Sequence, residues 1–262
     1  MGWQCTSCLR EGAKASPTVR WRPRTPQGMG RLGNTRMTPA VIGVIAVNVV
    51  IYAWESRHLD STIRRFAMWP DGVHFYGQWY RLITGAFLHA SITHILFNMV
   101  TLAIVGPPVE AEVGRVRFLA IYLLSAVGGS VGSYLLSRPD VAGVGASGAI
   151  FGVMGAYYVL ARLRRWQARS ILALIAINLL IGFTSAGIDW RAHLGGMVVG
   201  AVSCFGLMAV PRTRRRAMPA GLSASGPPSS EVGQVVQGLA VVVAVAVALG
   251  LLLQLPPGHV NL

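Results

Sequence analysis

The feature that most constrains this chain is a series of apolar runs, each close to the length of a bilayer-crossing helix and separated by short polar segments. A bilayer core of about 30 Å takes roughly 20 apolar residues in helical form. The runs cover about 39–54, 91–109, 115–137, 147–163, 170–187, 190–209 and 233–255. They are continuously apolar and do not alternate with period two, so helices are implied and a barrel is not. Composition agrees: the chain is 53% hydrophobic and 12% charged, against about a quarter charged in soluble domains. The expected class is an all-α membrane protein with seven spans.

The polar segments divide the chain. Residues 1–37 are basic and rich in Gly and Pro, and are expected to form a disordered cytoplasmic tail. Cys5-x-x-Cys8 in that tail has half the spacing of a zinc site and no second half, so no metal is expected. Residues 211–232 read as a linker with an Arg cluster, and 256–262 as a short tail after the last run. Segment 55–90 mixes Asp60, Arg64, Arg65, Asp71 and Arg81 with Phe66, Trp69, Phe75, Tyr76, Trp79 and Tyr80, which suits a folded loop at the membrane–water boundary. Pro107-Pro108 and Glu110 are expected to end the second run.

A net charge of +14 could suggest nucleic acid, but the Arg residues outside the tail lie in short clusters between apolar runs. They set topology there, and no nucleic-acid partner is expected. With a cytoplasmic N-terminus, most of the 23 Lys and Arg fall on the cytoplasmic side. Only Arg57, Arg64, Arg65, Arg81, Arg138 and Arg191 fall on the other. This orientation brings the start of the second run (His94), of the fourth (Ser147) and of the sixth (His193) to the same non-cytoplasmic face.

Ionisable groups inside a bilayer are costly and usually face a cavity or one another. Ser147 sits at a helix N-terminus, where free N–H groups favour negative charge. His193 can take the serine proton and return it to a leaving amine. His94 and Asn98, four residues apart, share a helix face and can both donate hydrogen bonds to an oxyanion. Taken singly, each has a plainer reading as interhelical glue or a wet loop end; together, at matching depth, they suggest a site. Gly148, Gly152 and Ala156 repeat every four residues on one helix, and Ala192, Gly196 and Gly200 on another, so the two backbones are expected to pack closely and bring Ser147 to His193. Asp189, four residues before His193, lies in a short wet loop, so a Ser–His dyad is expected. Such acyl transfer needs no cofactor.

These residues carry a family resemblance. Trp79-Tyr80-Arg81, His89-x4-His94-x3-Asn98, Gly145-Ala146-Ser147-Gly148, Ala192-His193-Leu194-Gly195-Gly196 and Glu110-Ala111-Glu112-Val113-Gly114 closely resemble the motifs of the rhomboid intramembrane serine proteases. The resemblance covers roughly residues 38–210 and implies a six-helix core, with the run at 233–255 as an added seventh helix. It implies Ser147 as nucleophile and His193 as general base and acid. His94, Asn98 and the Ser147 backbone N–H would form the oxyanion site. Arg81 would order the first loop, with His89 and Glu110 as structural residues. Where many relatives carry tyrosine four residues after the serine, this chain has Phe151, whose ring can stack on His193. Substrates would be transmembrane proteins cut near the non-cytoplasmic face of a bacterial plasma membrane. The alternative is a catalytically silent rhomboid-like protein that binds membrane helices.

Overall fold

The computed structural model describes residues 36–184, 187–208 and 229–257. The tail with Cys5-x-x-Cys8 and nearly all of the linker lie outside the described residues. The described part is helical: α1 (Pro39–Glu55), α2 (Leu59–Phe66), α3 (Pro70–His74), α4 (Arg81–Thr84), α5 (Ile92–Val113), α6 (Arg115–Leu136), α7 (Ser147–Arg164), α8 (Arg169–Thr184), α9 (Trp190–Met208) and α10 (Ser229–Leu252). Among the described residues the only extended pairing is an isolated antiparallel bridge between Met68 and Gly143.

Among the described residues, three helices are long and apolar enough to cross a membrane by length and composition: α5, α6 and α9. Pro39–Glu55, Arg169–Thr184 and Gly238–Leu252 are apolar but shorter. α7, with 18 residues, carries the Gly148–Gly152–Ala156 stripe and two Arg in its last turn, which lowers its apolarity. It needs little lipid-compatible surface, because Gly148 through Tyr157 are all buried by its neighbours. Tyr122 and Phe118 of α6 and Met154 and Leu160 of α7 are fully buried at the centre.

The expected end of the second run at Pro107-Pro108 is wrong: α5 continues through both prolines to Val113. Each proline removes a main-chain hydrogen bond and costs about 3 kcal/mol in a free helix. Tertiary ties offset that cost. Residues 105–110 are all buried, and Glu110 reaches across to the start of α1. Its carboxylate accepts the Thr38 hydroxyl and the N–H groups of Ala40 (3.1 Å) and Val41 (2.9 Å). Thr38 makes no side-chain cap of its own, so Glu110 supplies from another helix the anion that an N-terminus favours.

Segment 55–90 has a folded form of its own. Arg81, 4% exposed, holds it together: its guanidinium donates to Gln78 Oε1 (2.6 Å), Ala67 O (2.8 Å) and Arg64 O (2.9 Å). Thr84 Oγ1 donates to Phe66 O at 2.7 Å. Phe75, Tyr76, Trp79, Tyr80 and Ile83 remain exposed.

Candidate active site

α7 starts on Ser147 itself, after a segment that only glycine can supply. Gly145 has φ +132°, and a Cβ there would lie 2.8 Å from Cε1 and Nε2 of His94. The missing side chain lets the His94 imidazole rest against the backbone two residues before the serine. Sequence reasoning quoted Gly145 within a motif but gave it no role. The His94 end of α5 is fixed by Ser91, whose hydroxyl accepts the His94 N–H at 3.2 Å.

Ser147 and His193 meet. Ser147 Oγ lies 2.9 Å from His193 Nε2, although 46 residues separate them. What joins them is backbone-to-backbone packing of α7 on α9. A Cβ on Gly196 would overlap the Gly148 carbonyl, and one on Gly200 would overlap the Gly152 backbone. α6 closes the same seam, with Gly129 packed against Gly148 and Ala192.

The His193 ring is held from two sides. Phe151 stacks on it with centroids 4.2 Å apart and planes 11° from parallel, a contact worth roughly 1 kcal/mol. Gly182 of α8 passes so near that a Cβ there would sit 3.3 Å from Nδ1. Nδ1 itself is buried without a hydrogen-bond partner among the described residues. With the proton on Nδ1, Nε2 is free to accept the Ser147 hydroxyl proton. Asp189 is not merely solvated, as its wet-loop position suggested: Oδ1 accepts the N–H groups of Arg191 (3.1 Å) and Ala192 (3.2 Å) and caps α9. The signal was available, since Asp immediately before a helix start is a common N-cap.

Asn98 is 6% exposed and spends one amide N–H on His94 O at 3.0 Å, leaving the second N–H uncommitted. His89 is fully buried. Its ring meets His94 edge-on at 5.1 Å and Tyr52 at 6.4 Å. Burial, reinforced by His94, pushes the His89 imidazole down to about 4, so it sits neutral behind the site. The main-chain N–H of His89 donates at 2.7 Å to Glu55, a buried carboxylate that sequence reasoning missed.

Ser147, His193, His94 and Asn98 all line one cavity of about 500 Å³, which extends to Thr101 on α5 and Asn178 on α8. A hydroxyl hydrogen-bonded to an imidazole, with amide and imidazole groups lining the same cavity, has the chemistry to attack a carbonyl and to hydrogen-bond the oxyanion that forms. A family model described as "Rhomboid domain" matches residues 76–210. The chain is 33% identical over 192 residues to "Putative rhomboid protease YdcA" of Bacillus subtilis, covering 69% of this chain and 94% of that one. It is 29% identical over 207 residues to "Rhomboid protease AarA" of Providencia stuartii, covering 66% and 73%. It is 42% identical over 138 residues to "Rhomboid protease GluP" of Bacillus subtilis, covering 50% of this chain and 27% of that one. The chain belongs to the rhomboid family and is an all-α integral membrane protein.

Proposed function

We propose that this protein is an intramembrane serine endopeptidase working through a Ser147–His193 dyad. The observation that carries this reading is the 2.9 Å approach of Ser147 Oγ to His193 Nε2 at the wall of a cavity, with the imidazole clamped by Phe151. The naming of several relatives as proteases supports it. As Oγ attacks a peptide carbonyl, Nε2 takes its proton. The oxyanion is met by the Ser147 N–H at the helix start, by His94 and by the free Asn98 N–H. His193 then protonates the leaving amine, and water repeats the cycle to release the acyl group. Gly148, Gly152, Gly196 and Gly200 set the distance between nucleophile and base. Arg81, His89, Glu110 and Phe151 hold the surroundings.

Substrates are transmembrane segments, entered with their helix opened so that carbonyls are exposed. In this reading the core is 38–210, followed by a linker and a seventh helix, α10 (Ser229–Leu252), which starts before the 233 and ends before the 255 expected from the apolar run. Seven helices cross the plasma membrane of a bacterium, with the N-terminus cytoplasmic and the site near the opposite face. The test is cleavage of a fluorescent single-span protein co-reconstituted in liposomes. The intact chain yields a cut within or beside the span, and Ser147→Ala yields none. An intact, folded chain that binds the span without cutting it favours the silent helix-binding alternative.

A further inference from the structure

The C-terminal helix α10 packs on α9 and α6, away from the cavity, and nothing in the reaction above uses it. Its end nevertheless belongs to a core shared by three distant parts of the chain. Leu249 of α10 and Leu253, in the turn that follows it, are buried together with Val131 and Tyr134 of α6 and with Met68, Val73 and Leu82 of segment 55–90. At the middle of this core Tyr134 is fully buried. Its hydroxyl lies 3.0 Å from His74 Nδ1 and 3.0 Å from the main-chain oxygen of Leu255, with Leu253 O farther at 3.5 Å. A phenol has one proton and a carbonyl can only accept. Tyr134 therefore donates to Leu255, and His74 Nδ1–H donates to Tyr134. The chain of bonds has one direction and joins α3 through α6 to the turn that follows α10.

The same segment is fastened to the site on its other side. Met68 and Gly143 exchange two main-chain bonds, at 3.0 and 2.8 Å, and the Gly145 N–H donates to Gly85 O at 3.0 Å. Ser130 Oγ of α6 donates to Leu82 O at 2.8 Å. Gly145 touches His94 and precedes Ser147 by two residues. The stretch before the serine thus takes its position from segment 68–85, and that segment is backed by Tyr134 and α10.

We propose that Tyr134 is a positioning residue that clasps α10 to the folded loop, and that α10 thereby holds Gly143–Gly145 and the serine in register. The mechanical part stands on these bonds and contacts. The catalytic consequence rests on the serine-protease reading.

The test uses the full chain in lipid nanodiscs, comparing wild type with Tyr134→Phe, which removes both bonds and keeps the ring. Amide hydrogen exchange is read at 66–76, 140–146 and 249–256, and Ser147 labelling by a fluorophosphonate is timed on the same samples. Exchange at Met68, Val73, Gly143 and Gly145 is expected to rise roughly 5- to 10-fold. Labelling should slow by a similar factor, with the thermal midpoint held within about 3 °C. Loosening confined to 249–256, or spread evenly over the whole bundle, overturns the proposal, as does no change. If Tyr134→Phe does not accumulate, His74→Ala cuts the loop side only and must give the same pattern at 66–76 and 140–146. If wild type fails to label, the protease reading falls while exchange still decides the clasp.

Discussion

The α7–α9 seam and helix α8 border the same cavity but are held by different forces. At the seam, Gly148 and Gly152 face Gly196 and Gly200, and no side chain stands between the backbones. Such contacts are short and stiff, because no rotamer can give way. α8 buries only Ile171, Ile175 and Gly182, and leaves Ile177, Leu180, Ile181 and Phe183 exposed along its length. The pair whose spacing matters is thus on the unyielding side. The yielding side contributes Asn178 and Ile181 to the cavity wall and touches His193 through one glycine. A site that must keep a 2.9 Å contact and also admit a peptide needs both kinds of wall.

The contrast breaks first at the seam. Gly196→Ala forces a methyl into the Gly148 carbonyl and is expected to cost about 3 kcal/mol or more, with loss of Ser147 reactivity. Ile177→Ala on α8 (56% exposed) should stay within about 0.5 kcal/mol. Thermal unfolding of both variants in the same detergent decides it, and equal losses would erase the distinction. Asn98→Ala is expected to lower turnover about 100-fold, as loss of one oxyanion donor does. Its unfolding midpoint should barely move, because the lost bond lies within one helix; kcat and midpoint measured together separate the two effects. The smallest effect is expected from Asp189→Asn. Asparagine caps a helix about as well as aspartate, so cleavage should change by no more than about threefold. A collapse of turnover in folded protein would make Asp189 a third catalytic member.

Much of this was legible in the sequence because it depends on local repeats. The four-residue spacing of small residues on α7 and α9 specifies which faces meet, and the placement of Phe151 one turn after Ser147 puts its ring near the base. Pro107-Pro108 misled because a proline signal is local, whereas the burial of 105–110 and the bond from Glu110 to α1 are not. Glu55 reads as a charge ending an apolar run, yet it is fully buried and bonded to a backbone N–H 34 residues away. The Met68–Gly143 bridge and the Tyr134 clasp are invisible for the same reason. Met68 and Gly143 pair through main-chain groups, and Tyr134 reaches the main-chain oxygen of Leu255 from 121 residues away, so residue type cannot announce these bonds.

The central claim is that Ser147 and His193 act as one unit because the glycine seam brings them together. Fluorophosphonate labelling of the full chain in lipid, with the modified residue located by mass spectrometry, tests it most directly. Labelling at Ser147 in wild type, lost in Ser147→Ala and slowed at least about 1,000-fold in His193→Ala, is the predicted result. Labelling of Ser147 at the same rate with and without His193 would contradict it.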